Sequence, residues 1–505
     1  MSDPQPVPLP ELVFGIAGPI GVDMDAIVAS LSDALRAVRY RAELIRLTDA
    51  MQAFPVAQRR DGTGFFADSM YKMAYGNAIC REWGDRSALA RIGIDAIRAR
   101  RTALSGDGAT PAAGTAYIVR QLKRPAEVAL LRQIYGARFV LISAYGSRGR
   151  REALLRKVIA DTLPLDAPPS SAAMQANALI DTDAAEDGEA FGQRLRDTFH
   201  HGDVFIDGLD RKAMDPKLSR FIQALFGRTD IAPSKEEFGM YAAASAALRS
   251  TDLSRQVGAA IFTEEGEVIA QGCNEVPKAF GGTYWDSEEP DYRDVRLGRD
   301  PNAEQIRKVM RDLIERLSRA DLLSAKATGL GSSADIVTHL TAETGALRDA
   351  AVMDLTEYGR VVHAEMNAVC DAARLGRAVK GGILYCTTFP CHNCTKHILA
   401  AGIKRVVYIE PYPKSLATDL HANEIAVEEE SADRVVFAPF MGISPFRYRD
   451  IFRKSRRKSP DGRALEWLND AMRPMLDGVD QTYLSAERSV LHSLPKEANV
   501  RDTFA

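Results

Sequence analysis

The sequence predicts an α/β protein of two domains, a parallel-sheet domain followed by one of different rhythm that opens on a hairpin. Three observations predict it. Short apolar runs alternate with helical patterns through the first half, as at 12–17, 138–143 and 203–207. That rhythm makes a parallel sheet covered on both faces. At 505 residues the chain exceeds a single core. The stretch 227–237 then carries Gly, Pro, Ser and charge without periodicity, and the rhythm changes after it. The expected division is a domain over 1–235 and a second over 236–505.

In the first domain, a short apolar run from Glu11 to Gly18 leads through glycines into a helical pattern from about Asp23 to Ala37. Strand, Gly-rich turn and helix open an α/β unit. Helices with small residues and arginines are expected over 65–104. A buried strand at 138–143 precedes an Arg-rich helix with Arg148, Arg150, Arg151 and Arg156. A strand at 203–207 precedes a helix from about Pro216 to Phe226. The turn Gly15-Ile16-Ala17-Gly18-Pro19-Ile20-Gly21-Val22-Asp23 resembles a phosphate-binding P-loop. A working one continues with Lys and then Ser or Thr, which neutralise phosphate and hold Mg²⁺. Val22 and Asp23 stand there instead, and an Asp repels triphosphate. Gly15, Gly18 and Gly21 therefore read as a degenerate nucleotide loop or a tight turn, without kinase or ATPase chemistry.

In the second domain, strands at 257–262 and 267–272 are joined by Thr263-Glu264-Glu265-Gly266, a hairpin signal. A charged, helix-rich insertion spans 285–354. Helix (363–376), strand (382–387), helix (390–401) and strand (404–409) follow closely. A C-terminal extension from about 435 to 505 carries seven basic residues against one acid, Asp450, between Arg447 and Lys458, with Phe446, Tyr448 and Phe452 interleaved. Such a run suits RNA, nucleotide phosphate or an acidic neighbour, or a solvated helix face.

Composition narrows the class. Apolar residues make up 46%, charged residues 26%, and the net charge is −3. No global basic field exists to hold polynucleotide, so any such contact is local. Six cysteines are too sparse for a disulfide scaffold. The Pro-rich start, Met1 to Pro10, has no Lys or Arg and no signal-peptide pattern follows it. No run approaches the length of a membrane span. The expectation is a reduced, cytoplasmic protein that does not bind membranes.

The residues that carry chemistry are His363-Ala364-Glu365 and Pro390-Cys391-His392-Asn393-Cys394. One His and two thiolates supply three zinc ligands, cancel the +2 charge, and leave one tetrahedral position open. Two cysteines three apart at a helix start reach one ion from the same turn, and the helix N-terminus favours their negative charge. Glu365, two residues from His363, faces that open position and can relay protons from water to a ring nitrogen and then to a departing amine. His392 and His397 are rival ligands: His392, between the two cysteines, should point away, and His397 reads as a helix-face residue. Cys80, Cys273, Cys370 and Cys386 read as small core residues. The combination resembles the signature of zinc nucleobase deaminases.

With Gln256-Val257-Gly258-Ala259-Ala260-Ile261 and Gly272-Cys273-Asn274-Glu275-Val276-Pro277, the second half resembles deoxycytidylate deaminases. That resemblance implies a cytidine deaminase-like three-layer α/β/α domain whose first two strands are the hairpin. It also implies Zn²⁺ as cofactor, Asn274 against the substrate sugar or base, and the loop 387–390 with Thr388 along the pyrimidine. Tyr412, Lys414 and Ser415 follow a strand end, where α/β sheets place ligand contacts, and are candidates for substrate phosphate along with Arg255 and Arg360. The whole chain resembles bacterial antiphage dCTP deaminases, which fuse a P-loop kinase-like domain to this deaminase. The quoted support is Leu122-Lys123-Arg124-Pro125, Ile134-Tyr135-Gly136, Val204-Phe205-Ile206-Asp207, Glu357-Tyr358-Gly359-Arg360 and Glu410-Pro411-Tyr412-Pro413-Lys414-Ser415. It implies deamination of dCTP or dCMP, a regulatory N-terminal domain, a homo-oligomer, and a small RNA as regulatory partner. Two other readings stay open: a polynucleotide cytosine or adenosine deaminase, and a nucleotide- or RNA-binding regulatory assembly.

Overall fold

The computed structural model describes residues 9–492 apart from 165–166, 169, 187, 349, 455, 466, 468–471 and 477–480. The Pro-rich residues 1–8, Ser455 of the basic run and the end of the C-terminal extension lie outside the described residues. The chain divides into two compact units, 1–237 with 441–505, and 238–440.

The first unit is built on strands β1 (Leu12–Ala17), β2 (Arg41–Arg46), β3 (Thr115–Arg120), β4 (Phe139–Tyr145) and β5 (Val204–Asp207). They lie side by side in the order β5-β4-β1-β3-β2, all parallel. The apolar run of β1 is buried along its whole length because both faces are covered. Alternate residues serve opposite layers. Phe14, Ile118 and Ile142 pack with Leu31, Leu35, Leu218 and Phe221 of helices Met24–Ala37 and Arg211–Leu225. Val13, Tyr117 and Leu141 pack with Ile79, Ile94 and Leu131 of helices Gly64–Glu82, Ala88–Ser105 and Pro125–Tyr135.

From Met441 on, the C-terminal extension expected in the second domain folds with the first instead. Gly442–Ile443 pairs antiparallel with β5. Arg447, 6% exposed, pairs with buried Asp203 at 3.2 Å and donates to the Phe139 carbonyl oxygen at 2.5 Å. The Trp467 indole donates to the Phe226 carbonyl at 3.0 Å. Helix Thr482–His492 inserts Tyr483, Leu484 and Leu491 into the core. Periodicity along the chain could not assign this segment, because its partners lie hundreds of residues upstream.

The second unit holds β6 (Gly258–Phe262), β7 (Val268–Cys273), β8 (Ile383–Thr388), β9 (Arg405–Glu410), β10 (Ile425–Val427) and β11 (Val435–Pro439). Their order is β7-β6-β8-β9-β11-β10. β6 runs antiparallel to β7 and β8, and the other neighbours are parallel. The hairpin is as expected, and the sheet that it opens is mixed. Two glycines set how closely helices approach the sheet. A Cβ at Gly272 would lie 2.3 Å from the Ala364 carbonyl oxygen, and one at Gly258 would lie 2.0 Å from that of Ala243. Gly272 pairs with Ala259 and Gly258 with Cys273. Since β neighbours alternate faces, helices Ala364–Arg374 and Lys235–Ala247 lie on opposite faces of the sheet. The insertion forms helix Pro301–Arg319 and shorter helices around a small cluster of Ile306, Met310 and Val337. Among the described residues no helix is long and apolar enough to cross a membrane.

Candidate active site

Two helix starts meet at the expected residues. His363 is the N-cap of Ala364–Arg374 and Cys391 the N-cap of His392–Ala400, both in extended backbone. The first helix is fixed to β7 by the Asn367 side chain, which donates to the Cys273 carbonyl oxygen at 2.8 Å. An antiparallel bridge between Glu275 and Val362 fixes the residue before His363. The second helix is set by β8, whose continuation is fastened where the Phe389 amide donates to the Glu410 carbonyl oxygen at 2.8 Å.

His363 Nδ1 lies 3.4 Å from both Cys391 Sγ and Cys394 Sγ. The ligand atoms of these three residues all fall within 4.8 Å of one another, and they are the group that could hold a metal among the described residues. The fit to zinc is direct. Ligands held tetrahedrally at typical Zn–S and Zn–N lengths sit about 3.6 Å apart. His392 and His397 stand outside this group. Glu365, 5% exposed, places Oε2 at 3.4 Å from Cys394 Sγ, so it is beside the metal group and not part of it.

The electrostatics suit the same chemistry. The hydrogen bond from Cys394, with those from His363 and the Cys394 amide, holds the Cys391 thiol down to about 4, against the opposing pull of burial. The bond to Cys391 pushes the His363 imidazole up to about 9. The Cys394 thiol is raised well above its usual range by its bond to Cys391 and by burial. Burial, then the charge of Cys391, raises the Glu365 carboxyl. A carboxyl held above its ordinary range can both keep a proton and return it.

The other predicted residues divide. Ser415 Oγ donates to the Pro390 carbonyl oxygen at 2.8 Å, which ties the 412–415 segment to the residue before Cys391. Thr388 is buried, and its hydroxyl donates to Glu410 at 3.2 Å. The Arg255 guanidinium pairs with Glu410 at 3.0 Å and lies 4.8 Å from the centre of the Tyr412 ring. Lys414 is ion-paired with Asp354 at 2.5 Å, and Arg360 with Asp294 at 2.7 Å. Asn274 braces a loop: its carbonyl accepts from the Val257 amide, and its amide donates to Asp252 and to the Arg255 carbonyl oxygen. Sequence reasoning gave no role to Glu410, Asp252 or Asp354, since isolated acids carry no pattern until the sheet assembles. Cys80, Cys273 and Cys386 are buried as expected, whereas Cys370 is exposed. Ala364, Ala368 and Ala372 form the inward stripe of that helix, and position 370 lies off it.

In the first unit, the glycines of the turn play different parts. Gly15 lies within β1, where a Cβ would meet Leu122 at 2.5 Å, so it is a packing glycine and not a loop donor. Gly21 has φ +94°, a conformation that favours glycine. Asp23 caps its own helix, accepting from the Ala26 amide at 2.9 Å. Arg148, Arg150 and Arg151 bond to Asp181, Asp207 and the Gly146 carbonyl oxygen, respectively.

Comparison with known proteins bears on the second unit. Residues 233–410 match the cytidine and deoxycytidylate deaminase zinc-binding region. The chain is 46% identical over 54 residues to the deoxycytidylate deaminase of Enterobacteria phage T2, covering 11% of this chain and 29% of that protein. It is 43% identical over 54 residues to human deoxycytidylate deaminase, covering 11% and 29%. The chain thus spans less than a third of the length of these relatives. Among solved structures, dCMP deaminase from the cyanophage S-TIM5 in complex with dCMP and dUMP is 19% identical, with a TM-score of 0.23, covering 42% of this chain and 99% of that one.

Proposed function

We propose that the chain hydrolytically deaminates free deoxycytidine nucleotides, converting dCMP and dCTP to dUMP and dUTP with release of ammonia. The observation that carries this reading is the juxtaposition of a three-donor metal group with the buried carboxyl of Glu365. His363, Cys391 and Cys394 hold zinc. Bound zinc supplies the Lewis acidity that makes water a nucleophile near neutral pH. Glu365 would take one proton from the attacking water and deliver it to the pyrimidine ring nitrogen as the C4–O bond forms, then take the proton left on that oxygen and pass it to the amine as the C4–N bond breaks and ammonia leaves. Its burial keeps these transfers out of bulk solvent.

Thr388 lies along the pyrimidine, and Asn274 shapes the sugar side by holding the loop that carries Arg255. Tyr412, Lys414 and Ser415 take the phosphates, Lys414 exchanging Asp354 for the substrate. Support comes from the Ser415–Pro390 bond, which keeps this segment beside the metal group. The first unit has no kinase or ATPase activity, a reading supported by the side chain of Asp23 closing the helix start that phosphate would need. Depletion of deoxycytidine nucleotides as an antiphage defence is the role that the resemblance of the whole chain implies.

The test is a product assay on the purified chain with dCMP, dCTP, CTP, single-stranded DNA and RNA in separate reactions, followed by mass spectrometry. Formation of dUMP or dUTP from the free deoxynucleotides supports the reading and ranks the two substrates. Uracil or inosine formed only in the polynucleotides overturns it.

A further inference from the structure

The first unit contains a cavity that the deamination chemistry does not use. It has a volume of about 660 Å³ and is lined by residues just past the C-terminal ends of β1, β2 and β3. From β1 the chain builds β2 and β3 on one side, then β4 and β5 on the other. Open parallel sheets bind ligands at such a reversal of strand order. The volume falls in the range of about 300–1,000 Å³ typical of small-molecule sites.

The lining specifies the ligand's charge. Six of its eight ionised side chains pair with one another, Asp25 with Arg120 at 2.6 Å, Asp68 with Lys72 at 2.7 Å and Asp183 with Lys123 at 2.7 Å, while Arg124 is paired with Glu127 at 2.9 Å and Asp23 caps its own helix. The position for an anion at the turn after β1 is taken by the chain itself. The Asp183 carboxylate, 1% exposed, accepts the Ile20 amide proton at 2.7 Å, and Lys123 joins it to the Gly18 carbonyl oxygen at 2.7 Å. Phosphate would have to displace a buried ion pair to enter.

The lining also specifies shape and polarity. Leu47, Met51, Phe65, Met73 and Leu154 give it apolar walls, and methionine adapts readily to flat rings. Gln121 supplies a polar edge. Its backbone is held at φ +77° by two bonds to the Ile16 carbonyl oxygen, from its own amide and from that of Leu122. Glycine would take that conformation without strain, so a long amide side chain there points to use of the side chain. Its Oε1 accepts from the Thr48 hydroxyl at 3.2 Å, and the only hydrogen bond of its side chain among the described residues is this one.

We propose that this cavity binds an uncharged nucleoside, its base between the apolar walls and its donor–acceptor edge paired with the Gln121 amide. Glutamine can meet a base edge with two hydrogen bonds, one donated and one accepted. The site is separate from the metal group, and the proposal does not depend on the deaminase reading.

The experiment is calorimetric titration of the full chain carrying Glu365→Ala with adenosine, guanosine and thymidine, then with their 5′-triphosphates and pyrophosphate. At least one nucleoside is expected to bind, with its triphosphate roughly tenfold weaker. Ser69→Trp, which fills the cavity, is expected to abolish the signal. Gln121→Gly, which suits the backbone at that position, should weaken it roughly tenfold. Three results would overturn the proposal: no binding by any nucleoside, binding that survives both cavity variants, or triphosphate binding tighter than nucleoside and lost in Ser69→Trp.

Discussion

Arg101 and Glu487, 386 positions apart in the chain, face each other through two hydrogen bonds of 2.7 and 2.8 Å with neither side chain exposed. On its other edge, Arg101 Nε lies 3.0 Å from both oxygens of buried Glu11, whose carboxylate also accepts from Tyr117 and Tyr483. Burial pulls the Arg101 guanidinium down, but its bonds and the two carboxylates outweigh that and leave it raised. Glu487→Gln leaves the buried Arg98 and Arg101 guanidiniums one carboxylate short, with Glu11 still held by Arg101, and should lower stability in urea by about 3–5 kcal/mol. Replacing Arg101 by Met while converting Glu11 and Glu487 to Gln should cost less than Arg101→Met alone, because no carboxylate is then stranded.

Glu365→Gln keeps the shape of the site and removes the exchangeable proton. Zinc content should match the parent chain, while kcat on dCMP or dCTP falls by roughly 10²–10⁴. Turnover near the parent rate would remove Glu365 from the mechanism.

Zinc uptake should release protons. On the protein groups alone, His363 with its pKa near 9 and Cys394 raised well above its usual range are protonated at pH 7.5, whereas Cys391, held near 4, is already a thiolate. Ligation requires all three without protons, so about two should leave per ion. Titration of chelator-stripped protein in buffers of different ionisation enthalpy counts them. Cys391→Ala should lose most of its zinc, and chelation should destabilise the second unit.

The group of His363, Cys391 and Cys394 was legible because ligand chemistry imposes short spacings: His363 and Glu365 share one helix start, Cys391 and Cys394 another. The strands β1, β4 and β5 were legible as buried apolar runs. β2, Arg-Ala-Glu-Leu-Ile-Arg, was missed because an edge strand mixes polar and apolar residues. β3 was missed although its sequence is apolar, since its neighbours β1 and β2 are distant in the chain. The phosphate candidates divided for a similar reason. Whether Lys414 is a solvated charge or the partner of Asp354 depends on sixty intervening residues of fold.

Acid should weaken the first unit through His201. Burial, then the neighbouring charges of His200 and Arg132, lowers its imidazole from 6.5 to about 4. Between those values the unfolded chain binds a proton that the folded chain refuses, so stability is fully present above 6.5 and falls as pH drops toward 4. The loss should be of order 2 kcal/mol. His201→Asn should remove that component from urea midpoints measured across the same window.

Gly272→Ala tests how the sheet sets Glu365. The added methyl would press on the Ala364 carbonyl oxygen and the Ala368 amide, both backbone atoms that cannot rotate away. The helix must shift, at a cost of about 1–3 kcal/mol. Zinc affinity and kcat should fall together, as measured by metal competition and product formation.

Because the first unit is closed by residues after Met441, synthesis on the ribosome completes the second unit before the first. At usual elongation rates, roughly tens of seconds separate the emergence of β5 from that of Glu487. During that interval β5 lacks its antiparallel neighbour, and Arg101 and Glu11 wait without the helix that seals them from water. The nascent first unit therefore keeps an unpaired strand edge and an unsealed charged cluster until the helix Thr482–His492 has been translated and docks.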